Sequence, residues 1–256
     1  MPEVAYCTVD DVRSALQETV SSFESGAIGA DNHDVVVNAI TAQSEWLQEW
    51  SNRHWFEPNG LEADEYDIIA TEPLTHSYDE QDIETSAVML ADDPIEPSTT
   101  SGRYTAVSLF RRDVTEITEL LVLNTDGGFD DWVSDPDREE GRGNAYYLQV
   151  DDANGWTTLY LDTDAIDDDG DPDDPDDHGV TDYRNAVVVS YEYGIEGISR
   201  TVRQSIAMLA ATFLLTNDDA ALGIPDSGGN LVPQESKLKA IERQAKERLD
   251  IHRDPR

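Results

Sequence analysis

The spacing of apolar positions predicts four helices and, between the second and third, a long run of strands. The strongest helical pattern is residues 199–217, SRTVRQSIAMLAATFLLTN. Val202, Ile206, Leu209 and Phe213 fall on one stripe, and Ala207, Ala210, Ala211 and Leu214 on the next. A helix that is apolar round most of its circumference belongs inside a packed core. The turn formed by Arg200, Arg203, Gln204 and Ser205 leaves the apolar run well short of the ~20 residues that span a bilayer. Its basic first turn opposes the helix dipole, so Arg200 and Arg203 are expected to meet carboxylates.

Two helices are predicted before it. Thr8 is a good N-cap, Asp10 and Asp11 suit a first turn, and Val9, Val12, Leu16 and Val20 make one apolar stripe. The second helix starts near Asp31 or Asn32 and runs to about Arg53, with Val36, Ile40, Leu47 and Trp50 on one side and Trp46 beside them. Trp46, Trp50 and Phe213 are expected as core or interface anchors. A final helix runs from Gln234 to about His252 on the narrow stripe Leu238, Ile241, Ala245 and Leu249.

From His54 the period changes. Residues 66–70, 87–90, 104–110, 115–123, 144–150, 156–161 and 186–193 are rich in β-branched and aromatic side chains, and several alternate with period two. Asp152-Ala153-Asn154-Gly155 reads as the turn of a hairpin between NAYYLQV and WTTLYL. Residues 134–143, SDPDREEGRG, read as a mobile polar loop. The expected fold is α+β: a small helical bundle carrying a large inserted antiparallel β domain, a barrel or a sandwich. The expected divisions are a helical part over 1–53, the β domain over 54–196, the buried helix over 197–217 and a C-terminal arm over 218–256.

Charge sharpens this picture. The chain of 256 residues holds 17 basic and 55 acidic residues, a net charge of −38, and only three of the basic residues are lysine. Acidic surfaces poor in lysine are the mark of proteins adapted to molar salt, where a Debye length of about 3 Å screens self-repulsion. Such charge argues against a broad DNA-binding face. Its placement is uneven: from Arg200 onward there are nine basic and eight acidic residues, against eight and 47 before it. The C-terminal arm is thus electrically unlike the rest. The single cysteine, Cys7, excludes an intramolecular disulfide and reads as a structural thiol. The opening MPEVAYCTVDD has neither a basic leader nor an apolar core, so the expected site of synthesis is a cytoplasm, with no membrane partner.

Candidate chemistry is sparse. Residues 162–178 are almost wholly acidic, with prolines, and are expected to be disordered or ion-dressed. Asp167 and Asp169 are the weak calcium candidates there. With Gly170 as the sixth residue of an EF-hand loop, however, the first ligand position falls on Ala165 and the flanks are not helical. The five histidines, His33, His54, His76, His178 and His252, have no metal-ligand spacing, and no nucleophile elbow or phosphate loop occurs. The expectation is therefore a non-enzyme with no cofactor and no metal.

Three pieces carry a family resemblance. The opening T-x-x-D-V-x-x-x-L stands here as Thr8, Asp11, Val12 and Leu16. The second helix ends in an aromatic, acidic stretch closed by Asn52-Arg53, with Trp46 and Trp50 in it. A late helix I-x-x-x-V-x-x-x-I-x-x-L-A-x-x-x covers Ile198 to Leu215. Together they resemble the head–tail adaptor (connector) proteins of tailed viruses, and with this composition one from a virus of haloarchaea. The departure is the β region, where the family has a short linker or small hairpin. The resemblance implies a virion neck protein, assembled in the host cytoplasm into a homo-oligomeric, dodecameric ring. Its partners would be the portal protein and a downstream tail-completion protein, with DNA passing through an acidic channel without specific binding. It also implies that the basic arm, Lys237, Lys239, Arg243, Lys246, Arg248 and Arg253, faces an acidic portal surface. The alternatives are another neck ring protein (a stopper or tail terminator) and a haloarchaeal calcium-binding β protein.

Overall fold

A computed structural model describes residues 4–19, 33–61, 69–81, 104–124, 127–166, 185–216 and 232–253. The protein is mixed α+β, and its chain divides into two compact units, one made of Met1–Pro73 with Ile195–Arg256 and the other of Leu74–Gly194.

The first unit holds α1 (Val9–Thr19), α2 (His33–Ser51), α3 (Arg200–Thr216) and α4 (Val232–Leu249). Local chemistry starts α1: the Thr8 amide and hydroxyl both reach the Asp11 carboxylate at 2.9 Å, and the Asp11 amide returns to Thr8 Oγ1 at 3.1 Å. This reciprocal box satisfies donors the helix start would leave open. Asn52, at φ +53°, ends α2 in the left-handed region that asparagine tolerates. β1 (Trp55–Phe56) follows and pairs in parallel with β9 (Ile195–Glu196), which leads into α3.

α3 packs against α1, α2 and α4. Val202, Ile206, Leu209, Ala210 and Leu214 are buried, as are Val9, Val12 and Leu16 of α1 and Val36, Ile40 and Leu47 of α2. Arg203 Nε meets Asp11 Oδ2 at 2.6 Å, while Arg200 is exposed. Cys7 is buried two residues before α1.

The second unit holds β2 (Leu74–Gln81), β3 (Tyr104–Ser108), β4 (Val114–Leu123), β5 (Phe129–Asp131), β6 (Tyr146–Val150), β7 (Thr157–Asp162) and β8 (Val187–Tyr193). They form two antiparallel sheets, in the orders β2-β8-β4-β5 and β3-β7-β6. Val107, Leu109, Leu159 and Leu161 from one share a single core with Leu120, Val122, Val187 and Val189 from the other. Strand β7 alternates as the pleat requires, with Thr157, Leu159 and Leu161 buried and Thr158 and Tyr160 half-buried. Neither sheet closes on itself among the described residues, so the barrel expectation is corrected to two open sheets. The β6–β7 hairpin is present, its turn closed by the Gly155 amide on the Asp151 carbonyl at 2.7 Å, with Gly155 at φ +75°.

Two expectations change here. Residues 134–143 are not a bare loop: Arg138 lies over the Trp132 ring at 4.5 Å, pairs with Asp135 at 3.3 Å and donates to the Ala165 carbonyl. Strand β2 is an addition, because LTHSYDEQ has no apolar alternation to announce it. It forms one edge of its sheet, where one side of the ladder needs no partner. The expected strand at 87–90, the acidic run from 167 to 178 and the stretch 218–231 lie outside the described residues.

Candidate functional site

The basic arm is the site the sequence singles out, and the structure places it as α4, a helix with its own packed face. Ala245 and Leu249 are fully buried, and Leu238 and Ile241 are half-buried. Arg248 Nη1 donates to Met208 Sδ of α3 at 3.7 Å. Beyond Leu249 a short turn, Asp250–His252, brings the His252 ring edge-on to Trp55 at 5.2 Å.

The exposed side of α4 is less basic than its composition. Lys246 Nζ is 2.6 Å from Glu242 Oε1, and Arg243 Nε is 3.5 Å from Glu247 Oε1. Both are one-turn pairs on an open helix face, where such contacts contribute a few tenths of a kcal/mol (~0.3–0.5). Lys239, Lys246 and Arg253 are exposed. The Lys237 side chain lies outside the described residues, as do Asp167 and Asp169.

The same face meets α2. Trp46 and Trp50 lie one turn apart and stack, with centroids 5.4 Å apart and planes 18° from parallel. Lys246 Nζ lies 5.5 Å from the Trp46 ring, a cation–π contact across the helices. Trp50, Lys239, Glu242, Arg243, Lys246, Glu247 and Asp250 line an open groove of about 520 Å³. Its walls carry three basic and three acidic side chains, so the groove is amphoteric with an aromatic end. The two tryptophans are half-buried and belong to the surface between α2 and α4, not to the core. Their spacing was readable from sequence; the α4 partner was not, because it arrives from nearly two hundred residues downstream.

Phe213 needs a correction. It is 39% exposed, while Val202, Ile206 and Leu209 of the same stripe are buried. It lies near the end of α3, in the last turns before Thr216. A stripe is buried only as far as neighbouring elements extend along it, and this one is covered through Leu209 and bare at Phe213. Periodicity marks the whole stripe alike and carries no information on where its cover ends. Phe213 can anchor only something that packs on this surface.

His54 and His76 are held in structural contacts. His54 is fully buried, with Nδ1 3.0 Å from the Tyr6 hydroxyl and Nε2 3.0 Å from the Glu72 carbonyl. A carbonyl only accepts, so Nε2 carries the proton and Nδ1 accepts from Tyr6. Burial pushes this imidazole down to about 4, against a smaller upward pull from the Glu72 carbonyl. His76 packs on Tyr191 at 5.2 Å and on Phe110 at 6.0 Å. Among the described residues no group of three or more His, Cys, Asp or Glu is placed to hold a metal ion. No described helix is long and apolar enough to cross a membrane. No family model, curated protein or solved structure matches the chain.

Proposed function

We propose that this chain is a non-catalytic structural protein of a tailed-virus neck: a head–tail adaptor subunit that forms a ring beneath the portal and leaves an acidic channel for DNA. One observation carries the reading. The three stretches that resemble the adaptor family, Thr8–Leu16, Ser44–Arg53 and Ile198–Leu215, belong to one unit, and Arg203 of the third bonds Asp11 of the first at 2.6 Å. The departure from the family, the β region expected over 54–196, falls mainly in the other unit, Leu74–Gly194, with 54–73 and 195–196 in the helical one. In this reading the helices are the adaptor core, a small bundle, and the two-sheet unit is a β domain inserted into it.

The net charge of −38 suits a channel that repels phosphate and lets DNA slide. It also suits assembly in a halophilic host, where salt screens the subunits from one another. Exposed Phe213, the Trp46–Trp50 stack and the α4 groove supply apolar and mixed-charge surface for ring or portal contacts. The pairing of Lys246 and Arg243 within α4 shifts the portal-contact role toward Lys239, Arg253 and the groove's aromatic end. A stopper or tail terminator, which is mostly β, is the competing reading; the four described helices favour the adaptor.

The test is assembly. In molar salt, with the portal protein of the same particle, electron microscopy and native mass measurement are expected to give a ring capping the portal. Charge reversal of Lys239, Arg243, Lys246, Arg248 and Arg253 together is expected to abolish capping and leave the subunit folded. A chain that stays monomeric both alone and with portal overturns the reading.

A further inference from the structure

The segment before α1 is held in a way that the ring reading does not use. Residues 4–7 lie outside any helix or strand and are buried, with Tyr6 at 0% and Cys7 at 1% exposure. No helix or sheet ladder fixes them. The Tyr6 amide donates to Ser44 Oγ at 3.1 Å, the Ala70 amide donates to the Ala5 carbonyl at 3.1 Å, and the Tyr6 hydroxyl bonds His54 Nδ1 at 3.0 Å. The Tyr6 ring packs on His54 at 5.7 Å and edge-on to Trp55 at 5.5 Å. Phe56 stacks on His54 at 6.1 Å, with planes 9° apart. His54 is thus enclosed by aromatic rings and joined at each nitrogen to a different stretch of chain.

We propose that the Tyr6–His54–Glu72 relay is a proton-operated latch that holds residues 4–7 against the helical unit and releases them in mild acid. A proton added at Nδ1 turns the Tyr6 hydroxyl from donor to acceptor, so the hydroxyl's own proton loses its partner, and it places a charge at a ring with no exposure to water. Among the described residues, the titratable and charged groups on the surrounding elements are these. Tyr6 and Cys7 come from the segment itself, Arg53 from the chain just before the ring, and His252 lies against Trp55. Glu72 contributes its carbonyl, and its side chain belongs to an exposed residue. Residues 4–7 cover the ring from outside any helix or strand, so their local opening gives it access to water.

Cys7, the chain's only cysteine, reports this opening without an added probe. With the enclosed ring titrating near 4 and the released ring near 6.5, linkage raises the opening equilibrium roughly fifty-fold between about pH 7 and about pH 4.5. The experiment labels the full chain in molar salt with 4,4′-dithiodipyridine, a disulfide that reacts with thiols in acid, normalised to the denatured chain. Circular dichroism follows the helices in parallel. The wild type is expected to label roughly fifty-fold faster at the lower pH with its helix signal intact, and His54→Gln is expected to show no such rise. Continued protection of the wild-type thiol, an equal rise in His54→Gln, or labelling that follows loss of helix overturns the latch. If His54→Gln does not fold, hydrogen exchange of the wild type decides, with rates corrected for the intrinsic effect of pH. Exchange gained at 4–7 and 69–72 while α3 stays protected supports the latch, and gain spread across α3 overturns it.

Discussion

Replacing Asp11 with alanine tests how a local cap and a distant helix share one carboxylate. Asp11 Oδ2 accepts from the Thr8 amide and hydroxyl at 2.9 Å each and from Arg203 Nε at 2.6 Å. Removing the cap partner costs about 1 kcal/mol. The ion pair joins side chains 30% and 25% exposed. Solvent screens it at that exposure, so its share is about 0.5–1 kcal/mol. Together the loss is about 1.5–2 kcal/mol, or a fall in melting temperature of about 3–8 °C for a chain of this size. All the described α-helices lie in the first unit, so thermal melts followed by far-ultraviolet circular dichroism report on it. A double-mutant cycle separates the two shares. Coupling between Thr8→Ala and Asp11→Ala is expected to persist in molar salt. Coupling between Asp11→Ala and Arg203→Ala is expected to shrink there, since the Debye length falls to about 3 Å at 1 M. An Asp11→Ala protein within ~0.3 kcal/mol of wild type refutes the reasoning. So does strict additivity of Asp11→Ala and Arg203→Ala in dilute salt.

Four further outcomes follow from the same structure. Ile206→Ala, at a fully buried site, is expected to cost about 2–5 kcal/mol. Phe213→Ala, at a site 39% exposed, is expected to cost under about 1 kcal/mol while impairing ring assembly; urea unfolding and native mass measurement read the two effects. At Asn52, φ +53°, alanine is expected to lower stability by about 1 kcal/mol and glycine to be near neutral, again by urea unfolding. At Asp131, burial raises the carboxyl, but hydrogen bonds from Ser134, Val133 and Leu120 outweigh it and hold the group below its usual range. A depressed carboxylate stabilises the fold above its ordinary range, and that share is lost as pH falls through the folded value. Asp131→Asn is therefore expected to be less stable than wild type at neutral pH and to converge with it in strong acid, by thermal melts at both.

Local chemistry was legible where local chemistry decides. Thr8 reads as an N-cap and Asp11 as a first-turn acid, and the bonds between them join residues only three apart. The period of α3 marked Val202, Ile206 and Leu209 for burial, and the alternation of 156–161 marked β7. The Asp152–Gly155 turn fixed one hairpin because its partners are neighbours in sequence.

The rest depended on where distant pieces come to lie. Strand β2 carries no apolar alternation and exists because β8 offers it a ladder, with a register shift between His76 and Asp79. The sheet order β2-β8-β4-β5 joins strands more than a hundred residues apart, and no periodicity encodes such a pairing. Phe213 satisfies the same spacing rule as Leu209 and differs only in what covers it. The cations of α4 were visible as charge, but their pairing with Glu242 and Glu247 and the contact of Lys246 with Trp46 needed the helix placed. His54 looked like one of five scattered histidines until three segments closed round it. By itself the sequence determined the period, the caps and the charge, because those act over one turn or over the whole molecule. Burial, sheet order and the surroundings of His54 act between segments far apart in the chain, and only the tertiary structure decided them.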